Sequence, residues 1–228
     1  MYKRYLAFAT FFLVLLMTGC ATTKMALQDE SDTVPGKIKP IFLMTATLKN
    51  LYATFYQPEL HSVNVEKKDT KDDSDRFNFA IDDKAKFVTG TPESGNSYFL
   101  RMELEKGEYV IRGLTGGSGI FPIRGSFFAP LHVDIKSNNT GVFYLGHVDA
   151  TVRERKDGEF RAGAVFPLLN QSVMGFSGGT FEIEISDQYE IDMTDFKTRF
   201  PVLNGVTIQK AILPSFDRVK AQKWWEEN

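Results

Sequence analysis

A single cysteine, Cys20, is the only thiol in this 228-residue chain, so no disulfide can form within it. Histidine is nearly as scarce. His61, His132 and His147 stand apart, and none has the close-spaced partner that a zinc motif uses. There is no surplus of positive charge: 27 Lys and Arg against 29 Asp and Glu give a formal charge of −2. That balance removes the electrostatic basis for binding nucleic acid or an anionic bilayer. Nor is there an apolar run of the about 20 residues that a helical membrane span requires. The nearest candidate, Leu6 to Leu16, is interrupted by Thr10 and stops well short.

That short run has a telling context. Lys3 and Arg4 precede it, and Met17-Thr18-Gly19-Cys20 closes it. A charged start, an apolar middle and a small-residue end mark an export signal, although the usual ending is Ala-x-Ala. With Gly-Cys in its place, the segment resembles a bacterial lipoprotein signal peptide. The resemblance implies cleavage between Gly19 and Cys20, a diacylglyceryl group on the Cys20 sulfur, and usually an acyl chain on the new amine. Most members carry Leu three positions before the cysteine; here Met17 stands there. Ala21 follows the cysteine rather than the Asp that retains such proteins at the inner membrane. The resemblance therefore implies a periplasm-facing protein held in the bacterial outer membrane through Cys20. Loss of Lys3 and Arg4 with residues 1–19 moves the formal charge from −2 to −4.

Residues 21–36 are mostly small, polar or charged and end in Pro35-Gly36. They read as a flexible tether of roughly 20–25 Å typical reach. Beyond it the dominant period is two. Phe77, Phe79 and Ile81 alternate with Asn78, Ala80 and Asp82, and Tyr98, Leu100, Met102 and Leu104 alternate with Phe99, Arg101, Glu103 and Glu105. Leu131, Val133 and Ile135, and then Phe181, Ile183 and Ile185, do the same. Such patterns predict strands with one buried and one wetter face, as in antiparallel sheets. Ile41 to Thr47 and Leu51 to Val65 add N-terminal strands, with Pro58 as a limit. Val142 to Arg153 predicts a long strand in which Gly146 marks a bulge, and Lys156-Asp157-Gly158-Glu159 predicts a hairpin turn. Only Tyr189, Met193, Phe196 and Phe200 have helical spacing, with Asp187 and Glu190 as a capping box and Pro201 as the stop.

The expected fold is mainly β: an antiparallel β-sandwich with one short helix in the C-terminal half, preceded by a signal peptide and flexible tether. The layout is a signal peptide at 1–19, lipidated Cys20 and tether at 20–36, a sandwich at 37–214 and a charged tail at 215–228. Leu104-Glu105-Lys106-Gly107-Glu108-Tyr109-Val110-Ile111 is similar to a hairpin of transthyretin-like and carboxypeptidase-regulatory-like sandwiches. The stretch from Val133 through Gly141 to Tyr144-Leu145 has a similar layout. This resemblance spans about residues 98–148 and implies a fold without transferring any functional residue.

Candidate chemistry is sparse. Gly175-Phe176-Ser177-Gly178-Gly179 matches G-x-S-x-G, but the residues after it read as a strand, where a hydrolase elbow needs a helix. Gly116-Gly117-Ser118-Gly119 lacks the Lys-Ser/Thr of a phosphate loop and reads as a hairpin loop. His132 and His147 fall on the polar sides of their strands beside Asp134 and Asp149, so they read as surface residues. A two-His, two-Asp site would need those strands side by side. Asp187, Glu190, Asp192 and Asp195 form an acidic group that helix capping explains, with a weak calcium contact as the alternative. The tail carries Trp224-Trp225, which can pack back on the domain, enter a lipid interface or anchor a partner. The reading these residues favour is a lipid-anchored, non-catalytic protein with a binding or envelope-assembly role and no cofactor. The partners it implies are the bilayer through acylated Cys20 and an envelope protein. The alternatives are a serine hydrolase using Ser177 and a calcium- or carbohydrate-binding module.

Overall fold

The computed structural model describes residues 22–28, 35–119, 124–165 and 172–228. The signal segment with Met17, Gly19 and Cys20 lies outside the described residues, as do residues 29–34 of the expected tether. The strands are β1 (Thr22–Thr23), β2 (Ile41–Asn50), β3 (Glu59–Lys67), β4 (Arg76–Ala80), β5 (Lys86–Thr89), β6 (Asn96–Glu103), β7 (Gly107–Ser118), β8 (Gly125–Ser137), β9 (Val142–Glu154), β10 (Gly179–Ser186) and β11 (Ile208–Lys210). Two helices follow β10, α1 (Tyr189–Arg199) and α2 (Arg218–Glu227). No helix among the described residues is long and apolar enough to cross a membrane.

The strands form two sheets, ordered β1-β4-β3-β7-β8 and β10-β9-β2-β6-β5, with β11 also against β9. The expected sandwich is present, but it is mixed: β2 and β9 pair in parallel at the centre of the second sheet. The reason lies at two corners that read as hairpins. Lys106-Gly107 takes the chain from β6 in the second sheet to β7 in the first. The Tyr109 hydroxyl pins this corner by donating to the Glu105 carbonyl at 3.0 Å. Likewise Asn138 to Gly141 carries β8 across to β9, which enters beside β2 in the same direction. The Lys156–Glu159 turn forms, closed by the Glu159 N–H on the Lys156 carbonyl at 3.2 Å, but the next strand among the described residues, β10, starts only at Gly179.

Between the sheets lie the inward residues of each alternation, including Phe42, Met44, Leu100, Ile111, Leu131 and Phe181. The outer face of the second sheet carries its own apolar cluster, where Leu43, Phe99 and Tyr144 meet Met193, Phe196 and Phe200. The predicted helical spacing is therefore the packing face of α1. Its expected capping box is absent; Asp187 Oδ1 instead accepts the Tyr189 N–H at 3.1 Å. Because α1 covers this face, Phe99 and Arg101 are buried although their alternation placed them on the wetter side of β6.

Both ends of the described chain close an open side of the sandwich. Thr22 and Thr23 pair with Asn78 and Phe79, and Ala26 then exchanges hydrogen bonds with Arg101 on β6. Met25 and Leu27 are buried on the way. The expectation of a tether throughout 21–36 is thus corrected for residues 22–28, whose apolar side chains find a place on the domain. On the opposite side, Ala162 bridges the edges β8 and β10: its carbonyl accepts the Phe128 N–H and its own N–H reaches the Gly179 carbonyl. Over that bridge lies α2, capped by Asp217, with Ala221 fully buried. The tail is helical because it has this seam to lie on; so short a stretch would not hold a helix alone.

Candidate functional site

A buried polar arrangement lies where α1 meets β9. Gly146, at φ 112°, forms the bulge the sequence suggested: Leu43 and Thr45 on β2 face Tyr144 and His147 on β9, which are three apart. The extra residue brings Tyr144 and His147 to the same face, which a regular strand would not do. Both reach Asp192 of α1. The Tyr144 hydroxyl donates to Asp192 Oδ2 at 2.5 Å, and His147 Nδ1 lies 3.1 Å from Oδ1. On its other side His147 Nε2 is 3.0 Å from the Thr47 hydroxyl, which is 2.8 Å from that of Ser97. Burial, then the hydrogen bond to Asp192, raises the Tyr144 pKa, so this hydroxyl stays a proton donor.

A carboxylate, an imidazole and a hydroxyl in this order are the components of an acyl-transfer relay. Here Thr47 is 7 % exposed, and none of the clefts described below is lined by Thr47, Ser97 or His147. The arrangement fastens α1 to the sheet, with every member sharing a partner.

A cleft of about 600 Å³ opens beside the N-terminal segment, lined by Glu59, His61, Asp82, Asp83, Lys86 and Tyr98. Asp82 uses Oδ2 on Arg101 and Gln28, while its Oδ1 is buried with no hydrogen-bond partner among the described residues. Tyr98 accepts the Leu60 N–H at 3.1 Å, and burial pushes its pKa to about 12. Lys86 is held by Glu59 at 2.9 Å.

A second hollow of about 610 Å³ is mainly apolar and lies at the C-terminal seam, lined by Phe127, Phe128, Arg161, Val165, Trp224 and Trp225 among others. Trp224 is already engaged. Its ring lies 4.8 Å from that of His132 and 5.4 Å from that of Phe128, with the Arg112 guanidinium 5.4 Å away. Trp225 is partly buried against the core and borders the hollow. The helix carrying both is secured by Arg218, which donates to Glu159 at 2.9 Å and to the Phe181 carbonyl at 2.8 Å. Hydrogen bonds from Arg153, with the Lys156 N–H and the Arg218 charge, hold Glu159 at about 2.

The remaining sequence candidates separate. Ser177 lies in the turn before β10, and its carbonyl accepts from Arg161. No histidine serves it: His147 faces Asp192, His132 faces Trp224, and His61 lies beside Gly117. Gly116 and Gly117 belong to β7, not to a hairpin loop; a Cβ on Gly116 would strike the Glu59 carbonyl and the Phe127 ring. His132 is no surface residue. It sits at φ 51° in a bulge of β8, 3 % exposed, with Nε2 buried and unpartnered among the described residues. Burial first, then the charges of Arg112 and Lys220, lower its pKa to about 4. The two-His, two-Asp site fails because β8 and β9 belong to different sheets. The acidic group also disperses, since Asp192 turns inward and Asp187 pairs with Lys210 at 2.9 Å. Among the described residues no cluster of three His, Cys, Asp or Glu is placed to hold a metal ion.

Sequence reasoning missed Thr47, Ser97, Tyr144 and Arg101. A Gly inside a long strand was the available signal for the first three, because a bulge changes which residues share a face. Compared with protein-family models, curated proteins and solved structures, the chain finds no significant match.

Proposed function

We propose that this protein is a lipoprotein of the bacterial outer membrane, anchored by acylated Cys20 and facing the periplasm, that acts by binding rather than by catalysis. The observation that carries this reading is Met17-Thr18-Gly19-Cys20 at the end of a short apolar run after Lys3 and Arg4, with the lone cysteine of the chain at the cleavage point. Each buried acyl CH₂ contributes about 0.8 kcal/mol; one chain holds only marginally, and two or three make a stable attachment. An envelope protein is the partner class of this reading. The apolar hollow at Trp225 and Val165 is the surface we assign to it, since Trp224 is committed to packing.

Intact mass of the purified wild type tests the anchor. Acyl groups on a chain beginning at Cys20 are expected, and Cys20→Ser should leave an uncleaved or unlipidated species. Wild type with the mass of an unmodified chain refutes the anchor. A photo-crosslinking residue in place of Trp225 in intact cells should capture an envelope protein; capture only from positions remote from the hollow refutes the surface. Labelling by a fluorophosphonate probe that disappears in Ser177→Ala or Thr47→Ala would overturn the non-catalytic reading.

A further inference from the structure

Only Ala21 separates Cys20 from Thr22, and Thr22 is already paired with Asn78 of β4. Consecutive Cα atoms are about 3.8 Å apart, so the Cys20 Cα lies within about 8 Å of that of Thr22. The segment that follows is firmly held. Met25 and Leu27 are buried, and Arg101 donates to the Ala26 carbonyl at 2.8 Å. A chain with a free linker of 16 residues would have ranged over roughly 20–25 Å; this one starts its fold almost at the lipid.

Given the lipoprotein reading, we infer that acylated Cys20 holds the sandwich directly against the lipid surface at its β1–β4 edge, with the tip formed by Leu51, Tyr52 and Phe55 turned away from it. β1 runs parallel to β4, so the chain enters β1 from the Arg76 end of that edge. The tip lies at the other end, in the loop that joins the end of β2 to Glu59 at the start of β3. Asn64 of β3 faces Asn78, five residues from Glu59. At about 3.3 Å per residue, the foot of the tip stands at least about 16 Å from the level of Thr22.

The two ends also differ in chemistry. Around the Arg76 end several charges are paired: Lys67 with Asp75 at 2.7 Å, Arg76 with Asp73 at 2.7 Å and Lys68 with Glu108 at 3.8 Å. Such a balanced polar surface suits a zwitterionic headgroup layer. At the tip Phe55 is 81 % and Leu51 53 % exposed, an apolar surface that the short link to Cys20 keeps out of the membrane.

The test uses the full lipidated chain. Because Cys20 is acylated, a cysteine introduced elsewhere is the one free thiol and accepts a fluorophore alone. Lys71→Cys reports the anchor end and Phe55→Cys the tip, each in phosphatidylcholine vesicles containing a headgroup spin-labelled lipid. Loss of emission at Lys71→Cys and its retention at Phe55→Cys are expected. Equal loss at both positions, or the reverse order, in a chain whose mass shows acyl groups overturns the orientation alone. A chain without acyl groups overturns the lipoprotein reading and the orientation with it. Inserting about 20 Gly/Ser residues between Ala21 and Thr22 adds roughly 25 Å of reach and should abolish the quenching at Lys71→Cys. Quenching that survives the insertion shows that the domain finds lipid without the short link, which also overturns the inference.

Discussion

The guanidinium of Arg101 is fully buried and donates to the carboxylate of Asp82, joining β6 to the loop after β4. Its other nitrogens donate to the carbonyls of Ala26 and Phe99 at 2.8 and 2.9 Å, and its plane lies 4.4 Å from the Phe200 ring centroid. Burial lowers the Arg101 pKa, and the Asp82 charge opposes that shift. Removing one partner of such a pair leaves the other uncompensated. Arg101→Ala should therefore cost about 3–5 kcal/mol, read as a lowered urea midpoint. Replacing both members, Arg101→Met with Asp82→Leu, should cost less than the sum of the singles.

His132 gives the protein a pH dependence whose sign is fixed by its burial. Its folded pKa of about 4 lies below the usual 6.5, so the unfolded chain takes up the proton first as the pH falls. Its contribution is complete above about pH 6.5 and is lost progressively toward pH 4, amounting to about 3 kcal/mol. Asn tolerates the positive φ of this position. Urea unfolding of His132→Asn between pH 7.5 and 4 should show a shallower decline than the wild type; parallel curves would contradict the assignment.

Trp224 couples the C-terminal helix to the outer face of β8. Trp224→Ala should lower stability by about 2–4 kcal/mol, somewhat below the cost at a fully buried aromatic because the ring is partly exposed. Deleting residues 216–228 should cost more, since Arg218, Ala221 and Gln222 also leave the seam. Thermal melts unchanged by either would show that the helix is only loosely attached.

Gly146 is required by the bulge that places Tyr144 and His147 together. At φ 112° a side chain is strained, and a Cβ would meet the Ser186 carbonyl at 3.0 Å. Gly146→Ala should destabilise by about 1–3 kcal/mol. In the same variant, protection of α1 amides from hydrogen exchange should fall more than that of β3, because the Asp192 contacts depend on the bulge.

The sequence made the strands and the α1 packing face legible because alternation and helical spacing are local. Gly146 was read correctly for the same reason. What stayed hidden depends on which surfaces meet. A Gly turn such as Lys106-Gly107 serves a hairpin or a crossing between sheets equally well, so the parallel β2–β9 pair was invisible. Arg101 and Phe99 follow a polar-side register that becomes buried only when α1 arrives. His132 sits opposite a tryptophan 92 residues further along the chain. Thr22 to Gln28 read as tether because small polar residues dominate it, while its two anchoring side chains, Met25 and Leu27, are too few to make a period.

The parallel pairing of β2 with β9 also sets the order of events during synthesis. Thr47 meets His147 only after 100 further residues have been made. At about 5–20 residues per second that interval is about 5–20 s, far longer than a helix or hairpin needs to form. Throughout it β2 has no β9 beside it, and the C-terminal seam cannot close until α2 has emerged. The chain is therefore still unfinished as a domain while most of it is being made, the condition in which a polypeptide can be threaded through a narrow pore.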